Sequence, residues 1–438
     1  MEFDSRALAV LNRLSSHGYE AFLVGGCVRD YLRNVAPHDY DATTSALPQE
    51  ILAVFSDCPV IETGLKHGTV TVLWEGLPVE VTTYRVDGDY ADGRHPDGVT
   101  FTRSLTEDLA RRDFTVNAMA ISARGEVVDP FGGQADLSAK VLRCVGDPSR
   151  RFTEDALRIL RGLRFASVLG FCIEEGTAAA IHALSPRLNM VSAERICEEF
   201  VKLLCGERVF SVMADFSDVF GVFLPELLPC VGFDQHNFHH IYDVYTHLLR
   251  TVESVPPLPR LRTAALLHDI AKPETFDLDE DGVGHFYGHS SRSAEIADAI
   301  LRRLRFSNED RLAVVTLIKH HDTPIDATEK ALRRKLNKLG EEGFFDLLTL
   351  IRGDNLALAP QFHDRQAHYD RLETMARSIL AEKQCFSLRD LAVNGADLMA
   401  LGYKGREIGI ALNRLLDGVL DGLCPNEKEA LLRFLDKK

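Results

Sequence analysis

Residues 22–44 read Phe-Leu-Val-Gly-Gly-Cys-Val-Arg-Asp-Tyr-Leu-Arg-Asn-Val-Ala-Pro-His-Asp-Tyr-Asp-Ala-Thr-Thr, and they restrict the fold more than any other stretch. An apolar strand over Ala21–Val24 runs into Gly25-Gly26, where only glycine lets a backbone come close to a phosphate. A short helix over about Val28–Arg33 follows, turning its N-terminal amides and Arg29 toward an anion. Asp39 and Asp41 then stand two apart, ahead of Thr43 and Thr44. Residues i and i+2 of a strand share a side, so both carboxylates are expected to reach one point. Paired carboxylate oxygens suit Mg²⁺, which completes its shell with water and substrate phosphates. An ordinary turn, or an ordinary acidic loop, is the plainer reading of either half alone. Their combination points to phosphoryl or nucleotidyl transfer, where two metals clamp the attacking and leaving oxygens. No Gly-x-x-x-x-Gly-Lys-Ser/Thr occurs, so the cradle is not a P-loop.

Composition narrows the class. The 438 residues are 45% hydrophobic and 26% charged, as in soluble globular proteins. No stretch approaches the roughly 18 apolar residues of a membrane span, and the N-terminus has no signal-peptide core. Nine scattered cysteines without Cys-x-x-Cys read as free thiols, and the expected location is the cytoplasm. The net charge of −15 weighs against a nucleic-acid partner only globally, because binding depends on local patches. Arginines do cluster, at 111–112, 150–151, 158/161/164, 302–305 and 333–334.

Leu-Val-Gly-Gly-Cys-Val-Arg-Asp-Tyr-Leu followed by Asp-Tyr-Asp-Ala-Thr-Thr resembles the first motif of the class II tRNA nucleotidyltransferases and bacterial poly(A) polymerases. These belong to the DNA polymerase β-like nucleotidyltransferase superfamily. A β-branched hairpin is expected next, Gly68–Trp74 and Pro78–Tyr84 about a turn at Glu75-Gly76. It places Glu80 on a neighbouring strand, where the superfamily often adds a third carboxylate. Residues 86–99 read as a long loop, which in the family helps to shape the nucleotide pocket. Arg111-Arg112-Asp113-Phe114-Thr115-Val116-Asn117-Ala118 is expected on a helix, with Arg112, Asp113 and Asn117 facing triphosphate and ribose. It closely matches a second family motif. Asp129–Leu137 matches a further one, a scaffolding turn between head and neck.

The segment Arg151–Phe165 contains Glu154-Asp155-Ala-Leu-Arg158. A helix capped by Thr153 would put Asp155 and Arg158 side by side, with Arg161 and Arg164 continuing their face and Leu157, Leu160 and Leu163 forming a buried stripe. The resemblance makes this segment an amino-acid template. Asp155 and Arg158 would hydrogen-bond the Watson–Crick edge of CTP or ATP, and Arg161 and Arg164 would take up phosphates.

Eight of the sixteen histidines fall between His239 and His321. Leu266-Leu267-His268-Asp269-Ile270-Ala271-Lys272 resembles the signature of HD-superfamily phosphohydrolases, and the resemblance implies a metal held by His247, His268, Asp269 and Asp354. His289 with His320 or His321 would serve a second divalent metal. In the tail, Leu398–Leu401 with Gly402–Leu412 reads as a helix–turn–helix element.

The expected architecture is an α/β nucleotidyltransferase head (1–140) followed by a helical neck with the nucleotide-selecting motif (141–230), an HD-type body (231–355) and a helical tail (356–438). The activity implied by the resemblance is Mg²⁺-dependent addition of CCA to the 3′ end of tRNA from CTP and ATP. A partial CC- or A-adding enzyme, a poly(A) polymerase, and an HD-type phosphohydrolase acting on tRNA ends or nucleotides are the rivals.

Overall fold

The computed structural model describes residues 3–62, 64–87, 99–382 and 384–436. Thr63 and most of the loop expected over 86–99 lie outside them. The chain forms two compact units, Met1–Pro225 and Glu226–Lys438.

The first unit is built on a seven-stranded mixed sheet. Its strand order is Val60–Ile61, Thr69–Trp74, Leu77–Thr83, Tyr40–Thr44, Ala21–Val24, Ala120–Ser122, Val127–Val128. Within this sheet, among the described residues, only Tyr40–Thr44 and Leu77–Thr83 pair in parallel. Alternation settles which side faces the core: Val70, Val72, Val79 and Val81 are buried, whereas Glu80 and Pro78 between them are exposed. Helix Ser5–Ser16 buries Ala7, Val10, Leu11 and Leu14 against this sheet, with Asp4 capping its N-terminus. The helix expected after Gly25-Gly26 spans Gly26–Leu32.

Helices take over beyond residue 144. Leu157–Leu169 packs against Ala193–Leu204 and buries Leu157, Leu160 and Leu163, the stripe expected from the sequence. Its start differs from the expectation. The first helix runs Pro148–Glu154 with Asp147 as N-cap, Thr153 lies inside it, and Asp155 is extended at its end. The chain then re-enters a helix at Leu157. The predicted single helix thus breaks at the motif, because the Asp155 carboxylate accepts from the Leu157 amide and recaps the chain.

In the second unit, Val244–Ser254, Pro259–Leu267, His289–Arg303, Asn308–His320 and Glu329–Leu356 form a helical cluster. The last of these kinks at Gly340, where φ is 72°. The tail places helices Gly395–Ala400 and Arg406–Leu420 around a Gly402–Gly405 turn.

The Asp129–Leu137 turn is stapled by its own carboxylate: Asp129 accepts from the amides of Gly133 and Gln134, at 2.7 and 2.9 Å. A Cβ on Gly133 would run into the Thr115 carbonyl and lie 2.8 Å from Met119 Cγ. Gly133→Ala is therefore expected to destabilise the first unit by about 1–3 kcal/mol, read as a lower midpoint in urea unfolding.

Candidate active site

Two of the head carboxylates, Asp41 and Glu80, stand on neighbouring strands. Asp41 pairs in register with Val24 on one side and with Glu80 on the other, so Asp41 and Glu80 share a face. Asp39 does not lie in the strand as expected; it occupies the bend before Tyr40, exposed to solvent. Gly25 has φ 74° and ψ −133°, a backbone that L side chains rarely adopt. A Cβ there would sit 3.1 Å from Arg112 Nη1 and 3.5 Å from Asp41 Oδ2. The glycine turn, the carboxylate and the guanidinium therefore share one small space. Burial pushes the Asp41 carboxyl up, Arg112 pulls it down, and Glu80 and Asp39 push it up again. Such a cluster has excess negative charge, which a divalent cation complements. The donor atoms of Asp39, Asp41 and Glu80 are not drawn into one set of the tight kind found in the second unit.

Arg112 is not on the expected helix. Helix Leu105–Ala110 ends before it, and Thr115–Asn117 is a 3₁₀ turn. Its guanidinium lies 4.0 Å from Asp108, and its Nε is buried without a partner. Asp108 is fully buried and accepts from Thr43 Oγ1 at 3.0 Å. Arg29 is largely buried, donating to Asn117 Oδ1 at 2.9 Å and gripping Asp30 through Nε and Nη2.

Asn117 donates in turn to Asp113 (3.2 Å), whose other oxygen accepts twice from Arg161, at 2.9 and 2.7 Å. Burial alone would raise Asp113, but the Arg161 charge and hydrogen bonds outweigh it and hold the carboxyl at about 2. Arg161 and Arg164 both reach Glu199, at 3.8 and 2.5 Å, and Arg29, Arg161 and Arg164 all lie over the Phe165 ring. Asp113 and Asn117 thus link the head to the neck helix.

Asp155 and Arg158 are not paired with each other. Asp155 Oδ2 accepts from Arg195 at 2.9 Å. Arg158 donates to Glu154 at 2.7 Å and to the carbonyls of Arg151 and Arg111, at 3.2 and 3.0 Å. Glu154, which also pairs with Arg150 and Arg151, was legible from its i,i+4 spacing to Arg158. Arg195, forty residues away in sequence, gave no such signal.

A second cluster stands in the other unit. His247, His268, Asp269 and Asp354 place one donor atom each within 4.8 Å of one another, and Asp269, His289 and His321 do the same. His247 Nε2 is 3.1 Å from Asp354 and 3.4 Å from Asp269. Asp269 Oδ1 is 3.2 Å from His289 Nε2 and 3.3 Å from His321 Nε2, yet buried without a hydrogen bond. Nδ1 of His268, His289 and His321 faces a backbone carbonyl at 2.7–2.8 Å, and that of His247 does so at 3.4 Å. A donor role at Nδ1 leaves Nε2 as the ring nitrogen turned to the cluster, the usual preparation for a metal. Burial opposes a charged His268, but Asp269 and Asp354 hold it up to about 10, and both carboxyls lie well below their ordinary range. His320 is not in this set. It closes helix Asn308–His320 facing Lys335, Lys338 and Lys319, and burial with those charges brings it down to about 4. His321, the next residue, turns inward instead.

A mixed sheet with adjacent carboxylates, a glycine turn and an arginine-lined neck defines a nucleotidyltransferase of the DNA polymerase β-like type. Residues 21–143 match the family model "Poly A polymerase head domain", 170–229 an RNA- and SrmB-binding site of polymerase A, and 286–435 a tRNA nucleotidyltransferase domain 2. The CCA-adding enzyme of Limosilactobacillus fermentum is 49% identical over 428 residues, 98% of this chain and 95% of that protein. The Geobacillus thermodenitrificans CCA-adding enzyme is 51% identical over 201 residues, a match that spans about half the length of that relative (49%) and 46% of this chain. The structure of Bacillus stearothermophilus CCA-adding enzyme in complex with CTP superposes with a TM-score of 0.75 at 30% identity, over 99% of this chain and 96% of that one. The chain belongs to the CCA-adding enzyme family of tRNA nucleotidyltransferases.

Because Asp113 is held below its ordinary 3.8, its stabilisation is complete above about pH 5 and disappears as pH falls through about 2. Asp113→Asn is expected to cost about 2 kcal/mol at neutral pH, with the gap to wild type narrowing toward pH 2 in urea titrations.

Proposed function

We propose that this chain adds C, C and A to tRNA 3′ ends without a nucleic-acid template, using CTP, ATP and Mg²⁺ and releasing pyrophosphate. The observation that carries this reading is the shared space of Asp41, the Gly25 turn and Arg112. Asp39 and Asp41, with Glu80 beside them, would hold Mg²⁺, which when bound offsets charge on the triphosphate and on the attacking oxygen. Gly25 and Gly26 leave room for phosphate oxygens, and Arg29 and Arg112 supply guanidinium donors to them. The tRNA 3′-oxygen then bonds to the α-phosphorus while the bond to pyrophosphate breaks. Asp155 and Arg158 would read the base edge, a carboxylate accepting from an amino group and a guanidinium donating to ring acceptors. That requires Asp155 to share or exchange its bond with Arg195. Arg161 and Arg164, on the same helix, would take up phosphates by sharing the bonds they make to Asp113 and Glu199. We assign residues 1–140 to the head, 141–230 to the neck, 231–355 to the HD-type body and 356–438 to the tail. No helix among the described residues is long and apolar enough to cross a membrane. We place its action in the cytoplasm, where thiols without disulfides are the norm, and none of the nine cysteines is in a disulfide.

A second reading rests on the orphaned Asp269 Oδ1. His247, His268, Asp269 and Asp354 would hold one divalent metal, and Asp269, His289 and His321 a second. Such metals would supply a nucleophile from water for phosphoester hydrolysis.

Asp41→Asn is expected to abolish incorporation into tRNA transcripts lacking CCA while leaving the melting temperature within a few degrees of wild type; retained incorporation excludes the assignment. Asp155→Ala is expected to shift the CTP/ATP ratio of kcat/KM about tenfold or more, with a smaller loss in the preferred nucleotide's rate. Wild type offered tRNA ending in CC should add one A and stop; long A tails would identify a poly(A) polymerase. Asp269→Ala should lose bound metal, measured by elemental analysis after dialysis, without loss of CCA addition.

A further inference from the structure

Arg112 lies between two carboxylates, Asp41 and Asp108. Asp41 shares its small space at the Gly25 turn. Asp108 is its one ion-pair partner among the described residues, 4.0 Å away. The guanidinium is divided between them: Nη2 is turned to Asp108, Nη1 to the Gly25 turn, and Nε is buried without a partner. Burial presses against the charge on Arg112, and Asp108 does more than any other group to sustain it, with Asp41 the next anion in strength.

The proposed chemistry gives Asp108 no part, yet several elements are tied to it. It is fully buried, so its charge depends on the donors around it. Oδ1 accepts from Arg111 Nε at 3.0 Å and from the Arg85 amide at 3.3 Å, and Oδ2 accepts from Thr43 Oγ1 at 3.0 Å. Thr43 belongs to the strand that carries Asp41, and Arg85 opens the strand Arg85–Asp87. The carboxylate is therefore fixed from three sides, with Oδ2 left facing Arg112. Without that charge, Asp41 is the strongest remaining attraction on the guanidinium. An Arg112 closed onto Asp41 would occupy the carboxylate proposed for Mg²⁺ and turn its own donors away from phosphate oxygens.

We propose that Asp108 is a positioning residue for triphosphate binding: it seats Arg112 against the Gly25 turn and keeps it from pairing with Asp41. This rests on reading Arg112 as a triphosphate ligand, and the test separates the two.

Equilibrium binding of CTP and of ATP would be measured in EDTA, where Asp41 has no metal to hold. Asp108→Asn is expected to weaken both nucleotides about tenfold and by the same factor, because the base is read elsewhere. Adding Asp41→Asn to Asp108→Asn is expected to bring binding back to within about twofold of Asp41→Asn alone, since the capturing charge is gone. A general loosening of the fold would not be repaired in that way. Binding in Asp108→Asn equal to or tighter than wild type, with a loss in Arg112→Ala, overturns the positioning role and retains the ligand. A loss in Asp108→Asn that Asp41→Asn does not recover also overturns it. Unchanged binding in Arg112→Ala rejects the ligand and the positioning role together. Asp108→Asn removes one charge of the buried Asp108–Arg111 pair; if that variant does not fold, Asp108→Asn/Arg111→Gln removes both and is held to the same outcomes.

Discussion

Asp113 is the constraint on which the first unit depends. It is a buried carboxylate that cannot be left without donors, and its donors come from both parts of the unit: Asn117 and its own following amide from the head, Arg161 from the neck. Through Asn117 the same network reaches Arg29, and through Arg161 it reaches Glu199 and Arg164. Phe165 fills the space between the guanidiniums, so charge and packing support one another. The arginine proposed for the triphosphate and the helix proposed for the base are therefore held in one register. A shift of either would leave a buried ionic group unpaired.

The two acidic sites handle charge differently. In the head, Asp41 carries neighbouring carboxylates against a single close guanidinium, and Asp39 and Glu80 stay in contact with solvent. That openness suits a metal arriving with its substrate and keeping several waters. In the second unit the carboxylates are closed in by imidazoles and Lys272, with backbone carbonyls fixing the rings. That arrangement suits a resident metal, because the ligands are oriented before it arrives.

Much of this was legible in order along the chain. The hairpin and the glycine turn follow from local rules of alternation and backbone freedom, whereas Asp39 falls in the bend before the strand that carries Asp41. The motif at Arg111–Ala118 was recognisable, but its conformation was not: it reads as helix by composition and is a bend with a 3₁₀ turn, because Asp113 must face Arg161 instead of solvent. The break at Asp155 was hidden for a similar reason. Helical spacing is measured along an unbroken helix, and an Asp that recaps the chain cancels the spacing it appears to obey. His320 and His321 could not be separated by sequence, since adjacent residues at a helix end differ only in direction.

The sequence by itself determined which residue types are present, their order and their local periods, and so the nucleotidyltransferase head, the helical remainder and both sets of candidate metal ligands. Only the tertiary structure decided partnership. Arg195 rather than Arg158 holds Asp155, Glu154 rather than Asp155 holds Arg158, and His321 rather than His320 faces Asp269. The physical reason is range. Propensity and periodicity act over a turn or two of chain, whereas a buried charge is satisfied by whichever opposite group packing brings within about 3 Å, and that group stands at any sequence distance.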